Sequence, residues 1–187
     1  MERLRTFASM SHQWLLLVNE TRSFWRAVSS NMPLPLLQTI LSRSANHSLD
    51  VIYSKKRRDS THRRRFTTLV VEHVHRWRSL TIWNNPRDAE DVNTVQSLVH
   101  LSAPALEVLT CRGRQEAVDL FSGEAHRLRR LKLQQFCIPW ESKMLSGLEI
   151  LDLKNIGTNL PSVVQLLATL AASPGLVELR LNSSDHY

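Results

Sequence analysis

The sequence predicts an α/β fold in which short parallel strands stack one on the next, with helices and loops crossing behind them. Three observations carry this expectation. A Leu-x-x-Leu-x-Leu hexamer recurs along the chain, apolar residues at helical spacing lie between some of its copies, and the composition is that of a globular chain. The 187 residues are 42% apolar and 22% charged. A domain of this size buries about 70% of the surface its extended chain exposes.

The hexamer is clearest as Leu128-Arg-Arg-Leu131-Lys-Leu133, Leu148-Glu-Ile-Leu151-Asp-Leu153 and Leu176-Val-Glu-Leu179-Arg-Leu181. Looser copies are Leu106-Glu-Val-Leu109-Thr-Cys111 and Trp77-Arg-Ser-Leu80-Thr-Ile82. The weakest is Leu49-Asp-Val51, read with Leu49 in the middle position. Middle positions at 49, 80, 109, 131, 151 and 179 give steps of 31, 29, 22, 20 and 28 residues. All but the first lie within the period of a leucine-rich repeat. The last two apolar positions alternate with polar ones and share one face of a strand. One such strand cannot cover its apolar side alone, so stacking is what makes the unit stable. The expected architecture is a degenerate leucine-rich-repeat solenoid over 33–187. An ordinary α/β domain with a parallel sheet is the alternative. The Asn that often follows the strand of such repeats has partial matches at Asn155 and Asn182.

Between the strands, 91–101 and 161–172 read as helices from Val92, Val95, Leu98 and Leu101, and from Val163, Val164, Leu166, Leu167, Leu170 and Ala171. Pro161 suits a first helical turn, and Ser173-Pro174-Gly175 stops the second helix. The run 36–44 repeats its texture. The links 111–128 and 133–148 are shorter and read as loops or single turns.

Residues 1–32 form a separate helical segment in this reading. Phe7, Met10, Trp14 and Leu17 recur at three and four, one stripe of a helix. Such a segment can cap the open end of a solenoid.

The charge is concentrated. Lys+Arg number 24 and Asp+Glu 17, for a net charge of +7. The run Lys55-Lys-Arg-Arg-Asp-Ser-Thr-His-Arg-Arg-Arg65 carries almost all of it. It reads either as a nuclear-import signal or acidic-partner patch, or as a solvated loop between packed elements. A nucleic-acid surface would spread its basic residues or interleave them with rings, so nucleic acid is not the expected partner.

Catalytic signatures are missing from the sequence. The five glycines stand at 113, 123, 147, 157 and 175, never clustered as a phosphate loop requires. There is no nucleophile elbow and no His-Glu-x-x-His. On a helix His73 and His75 would point about 200° apart and on a strand they would share a face, but they lack partners at metal-ligand spacing and read as surface residues. Cys111 and Cys137 read as small buried apolar residues. Neither an enzyme, a metal nor a cofactor is expected. With two cysteines, no signal peptide at the start and no membrane span, the expected compartment is cytoplasmic or nuclear.

The stretch Ser11-His-Gln-Trp-Leu-Leu-Leu-Val-Asn-Glu-Thr-Arg-Ser-Phe-Trp-Arg-Ala-Val28 resembles the second half of an F-box. With degenerate leucine-rich repeats following, the chain is similar to F-box-like proteins of mushroom-forming fungi. Other stretches that carry the resemblance are ILSRSANHSLDV, HRWRSLTI, APALEVL, HRLRRLKL and ASPGLVELRL. The resemblance implies an adaptor whose F-box docks on a Skp-type linker of a cullin ubiquitin ligase, while the repeats hold an unknown protein substrate. It implies that Phe7, Trp14, Phe24 and Trp25 contact the linker. The leading half of the F-box, with its Leu-Pro-x-Glu-Ile-Leu-type helix, would precede Met1. Its absence, and a strand close to Tyr187, suggest a fragment with further repeats beyond it.

In a parallel stack, the residues between the leucines form rows on the outer face. The expected central row is Asp50, Thr81, Thr110, Lys132, Asp152 and Arg180, and the trailing row includes Ile52, Trp83 and Arg112. Partner contact is expected from Trp83, Arg112, Lys132, Asp152 and Arg180, because Trp and Arg dominate binding hot spots and mixed charge suits a protein partner. Three functions remain open: the F-box adaptor, a repeat module unrelated to ubiquitin in which Phe7, Trp14 and Trp25 fold back onto Leu36 and Leu37, and a basic nuclear protein binding nucleic acid through Arg63, Arg64 and Arg65.

Overall fold

A computed structural model describes residues 11–54, 60–83, 85, 92–93, 96–98, 100–115, 117–123, 125–156 and 160–182. It is an α/β fold built on one open seven-stranded sheet, in which each strand pairs with its neighbours in sequence order. The strands are β1 (Ala27–Ser29), β2 (Leu49–Tyr53), β3 (Trp77–Trp83), β4 (Val108–Gln115), β5 (Arg130–Phe136), β6 (Ile150–Lys154) and β7 (Glu178–Asn182). All six pairings are parallel. The helices are α1 (His12–Glu20), α2 (Leu34–Ser44), α3 (Ser60–Val71) and α4 (Val163–Ala172).

The repeated hexamer sets the ladder. Leu80, Leu109, Leu131, Leu151 and Leu179 stand side by side in register, as do Ile82, Cys111, Leu133, Leu153 and Leu181. The period-two alternation of a strand turns both rows to the same face. Up to β6 these side chains are buried in one continuous core with the residue that leads each strand: Trp77, Leu106, Leu128 and Leu148.

At the front the register differs from the expected one. Val51, not Leu49, pairs with Leu80, and a one-residue irregularity at Leu49/Asp50 sets Leu49 opposite Trp77. Val28 then pairs with Val51. The middle positions are therefore 28, 51, 80, 109, 131, 151 and 179, with steps of 23, 29, 29, 22, 20 and 28. Ala27–Ser29, within the segment 1–32, is the first strand of the sheet. Trp25-Arg-Ala-Val28-Ser-Ser30 behaves as one more copy, with Trp25, Val28 and Ser30 all buried.

The links behind the sheet vary in size. In α2, Leu37, Ile40, Leu41 and Ser44 face the core at helical spacing. Helix α3 buries His62, Arg63, Phe66 and Val70. Phe66 meets Tyr53 edge-on at 5.2 Å between ring centres, and Trp77 meets Phe121 at 6.5 Å. Of the expected helix 91–101, Val92, Asn93 and Gln96–Leu98 are helical, and its other positions up to Val99 lie outside the described residues. The two shortest links hold a kinked turn at Leu120–Gly123, with Phe121 and Ser122 at positive φ, and a single 3₁₀ turn at Lys143–Leu145. Helix α4 starts two residues after the expected Pro161: Ser162 is its N-cap, in a reciprocal capping box with Gln165, and Pro161 precedes the cap.

Arg76 locks α2 to β3. Its Nη1 donates to Ser44 Oγ at 3.1 Å and to the His47 carbonyl at 3.4 Å, and its Nη2 donates to the Leu41 carbonyl at 3.4 Å. These acceptors sit in the last turn of α2 and just beyond it, where helix carbonyls lack intrahelical partners. Burial lowers the Arg76 pKa, yet a guanidinium keeps its proton.

Candidate functional site

The links cover one face of the sheet, so the other face is the scaffold's displayed surface. Its central row is Ser29, Ile52, Thr81, Thr110, Lys132, Asp152 and Arg180. Asp50, expected there, falls in the leading row opposite Ser79, and Ile52 replaces it. The observed middle position, Val51, lies two residues beyond the expected Leu49, so the same residues of β2 still face out.

At the C-terminal ends of the strands, Trp83 and Arg112 are register partners. The guanidinium carbon lies 5.3 Å from the centre of the Trp83 ring, a cation–π contact between adjacent strands. Trp83 is 41% exposed, so the ring lies in the surface and is not packed under a loop. Arg112 is held at the start of a bulge, where β4 slips against β5 between Arg112 and Gln115. Gly113 takes φ +111° there, a conformation that favours glycine.

Lys132 is exposed in the next strand and makes no ion pair among the described residues. Arg180 is exposed and pairs with Glu178 two residues before it. Asp152 differs from its neighbours: it is 4% exposed, too deep to offer a contact surface of its own. Its carboxylate lies 3.5 Å from Lys154 Nζ, between the Lys132 and Arg180 strands. It therefore acts on the surface by anchoring a neighbouring cation.

The N-terminal ends of the strands form a groove of about 640 Å³ lined by Asp50, Arg78, Glu107, Arg129, Arg130 and Glu149. The six charges balance. Arg78 grips Asp50 side-on, donating from Nε at 3.1 Å and from Nη2 at 2.9 Å, and Arg129 lies 3.9 Å from Glu149. A groove of three cations and three carboxylates carries no net charge to draw a phosphate backbone.

The front segment divides. Phe7 lies outside the described residues. Trp14 on α1 and Phe24 in the following 3₁₀ turn are 43% and 41% exposed, together with Leu16 and Leu17. Ser11 caps α1 by accepting from the Trp14 N–H at 3.3 Å. Trp25 is 7% exposed and belongs to the core that also holds Leu37, with the Arg43 guanidinium 4.5 Å from its ring centre. Its place as the apolar residue leading β1 removes it from any linker surface.

The basic run is not wholly a solvated loop. Residues 55–59 lie outside the description, and Ser60–Arg65 opens α3. Helical spacing turns Arg63 inward with Phe66 and leaves Arg64 and Arg65 exposed. Neutralising all three arginines would therefore disturb packing as well as charge.

The reactive side chains are quiet. Cys111 is fully buried, and burial pushes its thiol pKa far above the ordinary 9.0. Cys137 is buried with its sulfur 3.8 Å from the Ile156 carbonyl. Burial, followed by the Arg76 charge, lowers the His73 pKa below 6.5. Among the described residues no cluster of His, Cys, Asp or Glu is placed to hold a metal ion, and no helix is long and apolar enough to cross a membrane. No family model, no curated protein and no solved structure matches this chain.

Proposed function

We propose that the chain is a leucine-rich-repeat solenoid serving as a protein–protein interaction adaptor, with substrate recognition for a Skp–cullin–F-box ubiquitin ligase as its role. The carrying observation is the exposure of two separate surfaces on one scaffold: the apolar cluster Trp14, Leu16, Leu17 and Phe24 at the front, and the strip Trp83, Arg112 and Lys132 on the outer sheet face. The first suits an apolar groove on a linker. The second combines a ring, a stacked guanidinium and an ammonium, the groups that recognise an acidic, aromatic-bearing protein segment. The in-register hexamers support the solenoid, because each strand covers its apolar side only by stacking on the next.

The reading is tested by co-expressing the chain with a Skp-type linker and purifying the pair at physiological salt. Co-purification that Trp14→Ala with Phe24→Ala abolishes, and that Trp83→Ala with Arg112→Ala leaves intact, supports it. A linker that never co-purifies removes the ubiquitin role. Burial of Trp25 favours a second reading, in which the front segment is mainly the cap of a repeat module unrelated to ubiquitin.

A further inference from the structure

The last layer of the sheet is built like the others, and among the described residues nothing packs over it. Leu151 and Leu153 of β6 are buried, whereas Leu179 and Leu181 of β7 are 37% and 46% exposed and Val177 is 87% exposed. Helix α4, which leads into this layer, buries Thr169 and exposes Val163, Val164 and Leu167. Among the described residues no strand lies beyond β7. An open, apolar edge of this kind is a template for another strand.

The hydrogen bonds of β7 say which of its groups are free. The Glu178 N–H donates to the Glu149 carbonyl at 3.1 Å, and the Asn182 carbonyl accepts from the Asn155 N–H at 2.8 Å. Backbone groups of alternate residues in a strand point to opposite sides. Glu178, Arg180 and Asn182 therefore bond towards β6, and Leu179 and Leu181 turn theirs to the open edge.

We propose that this edge binds a second copy of the chain, β7 against β7 in antiparallel register with Leu179 on the two-fold axis. Each Leu179 then donates its N–H to the carbonyl of the other and accepts in return, closing the ladder at the axis. One residue away on either side, Glu178 lies opposite Arg180 of the second copy. Two opposite-charge pairs form on the outer face, replacing the Glu178–Arg180 pair within each strand. Val177 falls opposite Leu181 and Leu179 opposite itself, so the apolar residues meet on the inner face. Neighbouring registers lack this match. Centring on Arg180 sets two guanidinium groups opposite each other, and centring on Glu178 sets two carboxylates opposite each other. The strand is self-complementary in one register, which is what a two-fold interface requires. The exposed stripes of the two α4 helices lie in the same terminal layers and supply further apolar surface.

Light scattering on the purified chain, over a micromolar concentration series, tests this. Twice the 21.5 kDa chain mass is expected. Glu178→Arg should return the chain to monomer by setting like charges opposite each other, and adding Arg180→Glu should restore the dimer. Circular dichroism should be the same for all three. A wild-type chain that stays monomeric across the series overturns the proposal. So does a dimer that Glu178→Arg leaves intact, which would place the contact elsewhere, such as the Trp14–Phe24 cluster. A variant pair that both stay monomeric overturns the register.

Discussion

The Arg112 guanidinium lies 5.3 Å from the ring centre of Trp83, on the adjacent strand and on the outer face of the sheet. The contact holds a large apolar ring and a cation in the surface at once, an arrangement more costly to assemble from flexible side chains. Under the proposed function, Trp83→Ala should weaken partner binding by about 2 kcal/mol, the scale of a hot-spot residue. Arg112→Lys should recover little of what Arg112→Ala loses, because an ammonium does not stack as a guanidinium does. Thermal melts of all three should match wild type within experimental scatter, since neither side chain is in the core. A clear fall in the melting midpoint would make them structural residues.

Trp25 and Trp14 should part ways under substitution. Trp25 fills the apolar position leading β1, so Trp25→Ala should cost about 3–5 kcal/mol in urea unfolding, as deletion of a buried aromatic does. Trp14→Ala should cost less than about 0.5 kcal/mol, as an exposed substitution does. Equal losses for the two would contradict the division of the front segment.

Arg76 should be a stability residue with no binding role. Its guanidinium serves Ser44, His47 and Leu41 from a buried position. Arg76→Ala removes three buried or part-buried hydrogen bonds, leaving the Leu41 carbonyl only its bond from Ser44 Oγ, and should cost about 2–3 kcal/mol. Lys, a single point of charge, should rescue less than half of that. Ser44→Ala removes one acceptor and should cost about 1 kcal/mol. Urea midpoints at constant slope measure all three.

Alkaline pH should unfold the chain through buried acids. Burial raises the pKa of the Cys111 thiol above 9.0 and of the Tyr53 phenol above 10.0. The folded state keeps both protons where the unfolded chain releases them. Their contribution is full below pH 9.0, and stability falls as pH rises past 9.0 for the thiol and past 10.0 for the phenol. Each group should add a slope of up to about 1.4 kcal/mol per pH unit. Cys111→Ala should remove the fall between pH 9 and 10. The same burial makes both thiols inert to Ellman's reagent until the chain is unfolded. Rapid native labelling of Cys111 would contradict its place in the ladder.

The middle and later strands were legible because their copies keep Leu in all three positions or close to it, as at Leu131 and Leu151. The front strands were not, because other residues take the same places. Val51 and Tyr53 alternate as Leu80 and Ile82 do, and Val51 lies 29 residues before Leu80, a step the later repeats share. That spacing, weighed against the identity of Leu49, would have found the register and put Ile52 in the central row. Trp25-x-x-Val28 was readable as a repeat only once Val51 was placed. Depth was less visible still. Asp152 and Arg63 look like surface charges in the sequence, and their burial, at 4% and 7% exposed, depends on how their strand and helix pack against the rest of the chain, which local spacing does not show.

The adaptor reading stands or falls on the front cluster. Titration of the purified chain with a purified Skp-type linker, followed by calorimetry, measures it directly. Saturable binding at one linker per chain is predicted, lost with Trp14→Ala and Phe24→Ala together and retained with Trp83→Ala and Arg112→Ala together. No heat from the wild-type chain, with its melt cooperative and its circular dichroism native, would contradict the ubiquitin role and leave a repeat module that binds through its outer face alone.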